Sequence, residues 1–138
     1  MMLVDTSVLL DVLLDDAQFA TVSEKALKSA RNARGLLICE TVLAKVRPLF
    51  SDDAELEAFC TDVGLEYHPC PRDAAVLAGT IYGRYLQNRG QARRVVPDFL
   101  IAAHALSCGY ALLARDRGYY RQYFAELDLV DPCLIKQQ

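Results

Sequence analysis

A chain of 138 residues, 53% of them hydrophobic, is long enough for one domain (1–138) with a buried core. Its net charge of −3 excludes a general polyanion-binding protein, so any contact with nucleic acid needs a local basic patch. The five cysteines are an odd number without a CxxC pair, which indicates a reducing, cytoplasmic setting rather than a disulfide framework.

Short apolar runs alternate with helical patterns along the first half of the chain. The N-terminal run lacks a basic start and is interrupted by Asp5 and Asp11, so neither a signal peptide nor a membrane span is predicted. Asp5 ends the first predicted strand, and Thr6 or Ser7 can cap the helix that follows. The other patterns predict strands at 36–39 and 65–68 and helices at 21–34, 41–50, 52–63 and about 74–87.

The second half carries an aspartate at each end of its most apolar stretch. Pro97 favours a helix start, and the residues from Asp98 to Cys108 are apolar nearly all round, as is typical of a buried helix. Gly109 predicts the end of this helix with a positive φ. The last two strands are predicted at 110–114, just before Asp116, and at 129–131. Strands alternating with helices predict an α/β domain whose parallel sheet is covered on both faces.

Three carboxylates then stand at comparable places: Asp5 after the first strand, Asp98 at the start of the buried helix, and Asp116 after a later strand. Parallel strands bring their carboxyl ends to one edge of a sheet, where ligands bind. Crowded carboxylates repel unless a cation is bound, and Mg²⁺ or Mn²⁺ prefers oxygen ligands. Such sites serve phosphoester chemistry. For each residue alone, an ordinary turn or helix-start aspartate is the alternative.

Four segments together resemble a known family: LVDTSVLLDVLL at 3–14, LICETVLAKV at 37–46, VPDFLIAAHAL at 96–106 and LLARDRGY at 112–119. In order and spacing they resemble PIN domains, in particular the VapC-type toxins of bacterial and archaeal toxin–antitoxin pairs. The resemblance implies a three-layer α/β/α sandwich and a Mg²⁺- or Mn²⁺-dependent endoribonuclease, usually a homodimer, held inactive by a VapB-type antitoxin. It assigns metal binding to Asp5, Asp98 and Asp116, and it matches Thr6 and Ser7 to the small hydroxyl residues after the first acid.

Lys45 is the main departure from the family pattern, which usually has a glutamate at this place in the helix after the second strand. An ammonium among three aspartates could mimic a cation by charge attraction and oppose metal binding. Glu40, five residues earlier, would point elsewhere on the helix. Our hypothesis is that this chain is strongly impaired and that a glutamate at 45 would make it active.

Three explanations of Lys45 are open. It is a change introduced or selected to make a toxic nuclease tolerable to its expression host, a natural divergence with weak activity, or the mark of a pseudo-enzyme that only binds. Ala114 is a second departure, because the family often has a threonine or serine there whose hydroxyl could orient a ligand.

Arginines near the predicted acids have two interpretations. The stretch from Ala74 to Pro97 holds no glutamate and no aspartate, and it runs straight into Asp98. A patch that contacts RNA phosphate is one interpretation, and a solvated helix end with its loop is the other. Arg115, beside Asp116, could likewise contact phosphate or form an ordinary surface pair. The arginines of the predicted patch are Arg84, Arg89, Arg93 and Arg94.

Three further features have mainly structural interpretations. His104 is predicted to be a half-buried structural histidine, since a lone histidine is weak support for a catalytic base. Asp11 is predicted to face solvent or a neighbouring arginine rather than a metal. The aromatic group could stack nucleic-acid bases but more often belongs to a core or a partner contact. It consists of Tyr119, Tyr120, Tyr123 and Phe124.

Two other functions compete with the nuclease. In the first, the PIN scaffold is a non-catalytic module for dimerisation and for binding an antitoxin or RNA, and it would not bind Mn²⁺ at the acids. In the second, a flavodoxin-like α/β domain binds a nucleotide. The absence of a GxGxxG or P-loop segment from the sequence counts against the second.

Overall fold

A computed structural model of the protein describes residues 1–89, 96–116 and 118–134, without the side chain of Arg89. The strands are β1 (Met2–Val4), β2 (Leu36–Ile38), β3 (Leu65–Tyr67), β4 (Ala111–Leu113) and β5 (Leu129–Val130). The helices are α1 (Thr6–Leu13), α2 (Ala20–Ala33), α3 (Glu40–Val46), α4 (Asp53–Val63), α5 (Arg72–Arg89), α6 (Val96–Cys108) and α7 (Tyr119–Tyr123). Short 3₁₀ turns lie at Arg47–Leu49 and Pro132–Leu134.

The strands form one parallel sheet in the order β3-β2-β1-β4-β5. β1 lies at the centre, where Met2 aligns with Leu36 of β2 on one side and with Ala111 of β4 on the other. The predicted α/β architecture with a central parallel sheet is confirmed.

Burial shows that helices cover both faces of the sheet. Every residue of β1, β2 and β4 is at most 4% exposed, although successive side chains of a strand point to opposite faces. The helices pack in two groups, with α1 against α2 and α3, α2 against α4, and α5 against α6. No helix in the described part of the chain is long and apolar enough to cross a membrane.

α6 is the buried helix that its composition predicts. Pro97 lies in its first turn, Phe99 is completely buried, and Gly109 follows the last helical residue with φ +72°. Glycine suits this position because it has no Cβ to oppose a positive φ. The prediction that His104 is half-buried is wrong, because the residue is 0% exposed in the centre of this apolar helix.

The start of α1 differs from the prediction. Thr6 and Ser7 do not cap this helix, because they already lie within it. The cap is Asp5, whose Oδ2 accepts a hydrogen bond from the backbone N–H of Ser7 at 3.3 Å. The carboxylate therefore satisfies a free N–H at the helix start and lies at the positive end of the helix dipole.

An aromatic cluster joins α5, α6 and α7. The Phe99 ring packs edge-on against Tyr85 and Phe124, with centroids 5.5 Å apart in each pair, and Tyr85 also contacts Tyr123 at 5.6 Å. Tyr85 and Phe124 are each 2% exposed and Tyr120 is 4% exposed. These rings are core residues in the folded protein, which favours the structural interpretation of the group at 119–124 over base stacking.

Candidate active site

The chain places β2 and β3 on one side of the central strand β1, and then crosses over to place β4 and β5 on the other side. The topological switch point therefore lies between β1 and β4. In open α/β sheets, ligands bind beyond the carboxyl ends of the strands at such a switch point. Asp5 follows β1 directly, and its backbone N–H donates to the carbonyl of Leu113 at 2.9 Å. Asp116 lies three residues beyond Leu113. We call this side of the sheet the acidic edge.

Asp5 is held by three donors although it is only 5% exposed. Its Oδ2 accepts from the hydroxyl of Ser7 at 2.7 Å and from the Ser7 backbone N–H at 3.3 Å. Its Oδ1 accepts from the Tyr120 hydroxyl at 3.4 Å, a long and weak hydrogen bond. The carboxylate is therefore oriented mainly through Oδ2, and Oδ1 keeps most of its capacity to bind a ligand.

Asp116 is oriented by the turn that follows it. Its side chain is 4% exposed, and Oδ1 accepts from the backbone N–H groups of Gly118 at 2.8 Å and Tyr120 at 3.3 Å. Its Oδ2 forms an ion pair with Nε of Arg121 at 3.1 Å, and its own N–H donates to Asp131 at 3.2 Å. These contacts orient Asp116 without the hydroxyl that Ala114 lacks.

Tyr120 connects the two acids. Its hydroxyl donates to Asp5, and its backbone N–H donates to Asp116. One residue, 4% exposed, therefore joins carboxylates that are more than 100 positions apart in the sequence. Tyr120 is therefore a shared partner of Asp5 and Asp116, while their role as a metal site stays a prediction.

Asp98 is the third residue of α6, which packs against β1 and β4. α6 leads through two residues into β4, so its C-terminus lies at the amino end of the sheet. At about 1.5 Å per residue, the helix carries Asp98 roughly 15 Å back toward the carboxyl ends. The neighbouring Phe99 ring lies 6.2 Å from the ring of Tyr119 in α7. Asp98 therefore lies on the side of the sheet that carries the other two acids.

The oxygen donors suit a hard divalent cation, but the described residues do not converge as a ligand set. Among them, no three or more His, Cys, Asp or Glu side chains are grouped to hold a metal ion. Donors within the protein already occupy some of the carboxylate oxygens, most clearly Arg121, which pairs with Oδ2 of Asp116. The Thr6 hydroxyl, next to Asp5, is buried without a hydrogen-bond partner in the described structure. It is an unused oxygen of the kind a bound water or ligand would satisfy.

Lys45 lies in the last turn of α3, on the helix that packs against α1. Its side chain is exposed and makes no hydrogen bond or ion pair with any residue that the structure describes. Impairment by Lys45 stays a prediction. Glu40 accepts a hydrogen bond from the Cys70 backbone N–H at 2.8 Å, so it is engaged with the loop after β3.

The predicted arginine patch is only partly visible. Arg84 is exposed on α5, while Arg93, Arg94 and the side chain of Arg89 lie outside the described residues. Phosphate contact by these arginines stays a prediction.

Arg115 makes its contacts inside the protein. Its Nε and Nη2 donate to the Asp11 carboxylate at 2.8 and 2.9 Å. The predicted arginine partner of Asp11 is confirmed, whereas a solvent-facing Asp11 is wrong, because the residue is 3% exposed.

Tyr120, Arg121 and Asp131 are site residues that sequence reasoning missed as partners of the acids. Tyr120 and Arg121 contact Asp116 from the segment that follows it, Asp131 contacts it from the end of β5, and Tyr120 also contacts Asp5. A turn of this kind has no periodic pattern. The only signal was the positive-φ preference of Gly118, whose φ is +100°.

A model of the PIN domain family matches residues 2–125. The chain belongs to the PIN domain family. The match covers all three predicted acids and both turns that hold Asp5 and Asp116. A search of curated protein sequences finds no match.

Solved structures share the fold of this PIN domain at low sequence identity. A chain of VapBC2 from Rickettsia felis, bound to a promoter DNA fragment, has a TM-score of 0.71 at 16% identity, covering 94% of this chain and 97% of that one. FitAcB from Neisseria gonorrhoeae has a TM-score of 0.65 at 18% sequence identity, covering 98% of this chain and 100% of that one. VapC20 of Mycobacterium tuberculosis, a sarcin–ricin loop cleaving toxin, has a TM-score of 0.62 at 12% sequence identity, covering 88% of this chain and 95% of that one. The predicted resemblance to VapC-type PIN domains is confirmed at the level of family and fold.

A histidine pair lies between the loop after β3 and α6 of this PIN domain. Nδ1 of His68 lies 2.9 Å from Nε2 of His104, and Nε2 of His68 lies 3.2 Å from the Tyr110 hydroxyl. Nδ1 of His104 is buried without a partner among the described residues. Burial lowers the pKa of His104, and the charge of His68 lowers it further, while Glu40 opposes the shift.

Acid is therefore expected to destabilise the protein through His104. The unfolded chain binds this proton near pH 6.5 and the folded chain only at lower pH, so stability falls as pH drops below about 6.5. One such group contributes at most about 1.4 kcal/mol per pH unit. Urea unfolding of the wild type and of His104→Gln between pH 7.5 and 5.5 tests this, and the variant should lose most of the slope. His68→Gln leaves His104 buried but removes the second cause of its lowered pKa, so this variant should keep the larger part of the slope. An unchanged slope in His104→Gln would contradict the assignment.

Proposed function

We propose that this PIN domain is a metal-dependent endoribonuclease of the VapC type, the toxin of a toxin–antitoxin pair. The observation that carries the proposal is the joining of Asp5 and Asp116 through Tyr120 at the switch point of the sheet. Acids at that place fit hydrolysis of a phosphodiester better than binding alone, because a binding surface has no need for carboxylates that repel phosphate.

Asp5, Asp98 and Asp116 would hold Mg²⁺ or Mn²⁺. When bound, such a cation supplies a water that is nucleophilic at neutral pH and stabilises charge on the phosphate. Ser7 and Tyr120 orient the Asp5 carboxylate, and the turn at 118–120 orients Asp116. Arg121, whose side chain is 59% exposed, is free to turn from Asp116 toward an RNA phosphate, for which an arginine fork is well suited.

The likeness to toxin–antitoxin chains supports the proposed partners. The similar structures include VapBC2 with promoter DNA and a toxin that cleaves the sarcin–ricin loop. For this chain we propose RNA as the substrate, a VapB-type antitoxin as the inhibitor, a homodimer as the assembly and the cytoplasm as the location. We further propose that Lys45 impairs catalysis by placing a positive charge where the family usually has a glutamate.

A non-catalytic PIN module is the second candidate. Two observations favour it: Lys45 at the usual glutamate position, and the lack of a converged group of three ligands among the described residues. A module of this kind would use the same fold for dimerisation or for binding an antitoxin or RNA.

Mn²⁺ binding and RNA cleavage by the chain as it stands separate the two candidates. We expect measurable Mn²⁺ binding by calorimetry and slow RNA cleavage that EDTA stops. Asp98→Asn should lower cleavage by about 100-fold or more, since it replaces a charged carboxylate ligand by a neutral amide. Asp73→Asn, an exposed aspartate in the first turn of α5, is the matched control and should change neither. Cleavage that survives both EDTA and Asp98→Asn would reject the proposal, as would absence of Mn²⁺ binding from the chain and from Lys45→Glu.

A further inference from the structure

We infer that Asp11 and Arg115 are positioning residues that fix the geometry of the acidic edge from behind. The inference rests on the proposed function, because it concerns how well Asp5 and Asp116 are placed for a divalent cation. Neither residue is one of the acids, and neither touches them with its side chain in a described contact. Their influence runs through the backbone of Arg115 and the hydroxyl of Ser7.

The Asp11–Arg115 pair is built as a rigid contact. Asp11 is 3% exposed, and its two oxygens accept separately from Nε and Nη2 of Arg115 at 2.8 and 2.9 Å. The Ser23 hydroxyl donates to Oδ2 of Asp11 at 2.7 Å. The guanidinium lies 4.0 Å above the ring of Phe19. A two-point charged contact that is also stacked and partly buried fixes the arginine in both position and plane.

The backbone of Arg115 transmits this position to Asp5. Its N–H donates to Oγ of Ser7 at 3.3 Å, and that hydroxyl donates to Oδ2 of Asp5 at 2.7 Å. A serine hydroxyl has a single proton. Because Ser7 accepts from Arg115, its own proton is directed toward Asp5, which fixes the plane of the carboxylate.

The same residue also sets the start of the turn that carries Asp116. Arg115 lies between Asp116 and Ala114, a completely buried residue directly after β4. Because its side chain is bound to Asp11 of α1 and stacked on Phe19, just before α2, Arg115 fixes the segments that carry Asp5 and Asp116 relative to each other. A partly buried ion pair contributes little net stability to a fold, since proteins with apolar residues in its place are often equally stable. The contacts of this pair fit a positioning role better.

The test compares Asp11→Asn, Arg115→Gln and the double variant with the wild type, each also in the Lys45→Glu background. Mn²⁺ affinity by calorimetry should fall by about 10-fold or more in each single variant, the usual effect of removing a group that orients ligands. The double variant should be no weaker than the singles, because both changes break the same contact. Asp128→Asn is the matched control. It breaks an ion pair with Arg34 next to the amino end of β5 and should leave affinity unchanged.

A second measurement does not depend on metal. Hydrogen exchange of the Arg115 amide should speed up by about 10-fold or more in Asp11→Asn, whereas the Leu37 amide in β2 should keep its rate. Wild-type Mn²⁺ affinity in both single variants, together with an unchanged exchange rate of the Arg115 amide in Asp11→Asn, would overturn the inference. If no chain binds Mn²⁺, the proposed metal site fails by itself. The Arg115 amide then decides, since faster exchange supports the positioning contact and an unchanged rate rejects it.

Discussion

Replacing Lys45 by glutamate is expected to raise metal-dependent RNA cleavage by about 100-fold, the upper range for residues that support a metal site. The change removes a positive charge from α3 and supplies a carboxylate where PIN domains usually have one. Like charges oppose a cation over the short distances of such a site, while a carboxylate attracts it. Cleavage of a labelled RNA with Mg²⁺ or Mn²⁺, measured for both proteins at equal concentration, tests the expectation.

Two companion variants separate charge from ligand. Lys45→Met removes the ammonium without adding an oxygen, so it should recover only part of the activity. Lys25→Glu makes the same change in net charge at an exposed position of α2 and should leave cleavage unchanged. Equal cleavage by the wild type and Lys45→Glu would show that position 45 does not control the reaction. An equal gain from Lys25→Glu would assign the effect to overall charge.

Phe99→Ala is expected to destabilise the fold by about 3–5 kcal/mol, the usual loss for a buried phenylalanine. Phe99 is 0% exposed and its ring contacts Tyr85 and Phe124 at 5.5 Å and Tyr123 at 5.7 Å. The cavity would lie where α5, α6 and α7 meet. Since single domains are stable by only about 5–15 kcal/mol, a large part of the margin would be lost. Urea unfolding followed by circular dichroism measures the change.

The control for Phe99 is Val76→Ala on α5. Val76 is 56% exposed, so its truncation should change stability by no more than about 0.5 kcal/mol. A loss below about 1 kcal/mol for Phe99→Ala would mean that the aromatic cluster contributes little to holding the three helices together. It would also reopen a role for the rings at 119–124 in stacking nucleic-acid bases.

Local pattern was enough to predict the elements that carry the acids. The uninterrupted apolar stretch of α6, closed by Gly109, predicts a buried helix, and the short apolar run after it predicts β4. The three aspartates could be picked as candidate ligands because they stand at the ends of these elements and of β1. Such features depend on side-chain period and on backbone preference within a few residues, which a single sequence displays directly.

Contacts between distant residues could not be predicted in the same way. Asp11 and Arg115 are 104 positions apart, and His68 and His104 are 36 apart. Nothing in the local pattern of Asp11 distinguishes a buried partner of arginine from an exposed helix residue. The cap of α1 was wrongly placed by one or two residues because Asp5, Thr6 and Ser7 are all good caps, and only the backbone decides among them. The role of Lys45 concerns the effect of its charge on cation binding, which depends on a bound metal rather than on the fold.

The central strand also sets the order in which the protein can mature on the ribosome. β1 can pair with β2 soon after residue 38 emerges, but its other neighbour, β4, begins at Ala111. At about 5–20 residues per second, several seconds of translation separate the two events. The carboxylates at 5 and 116 are thus brought together only when synthesis is nearly complete. A prematurely terminated chain carries the first acid without the last, so the two carboxylates that Tyr120 joins cannot meet in it.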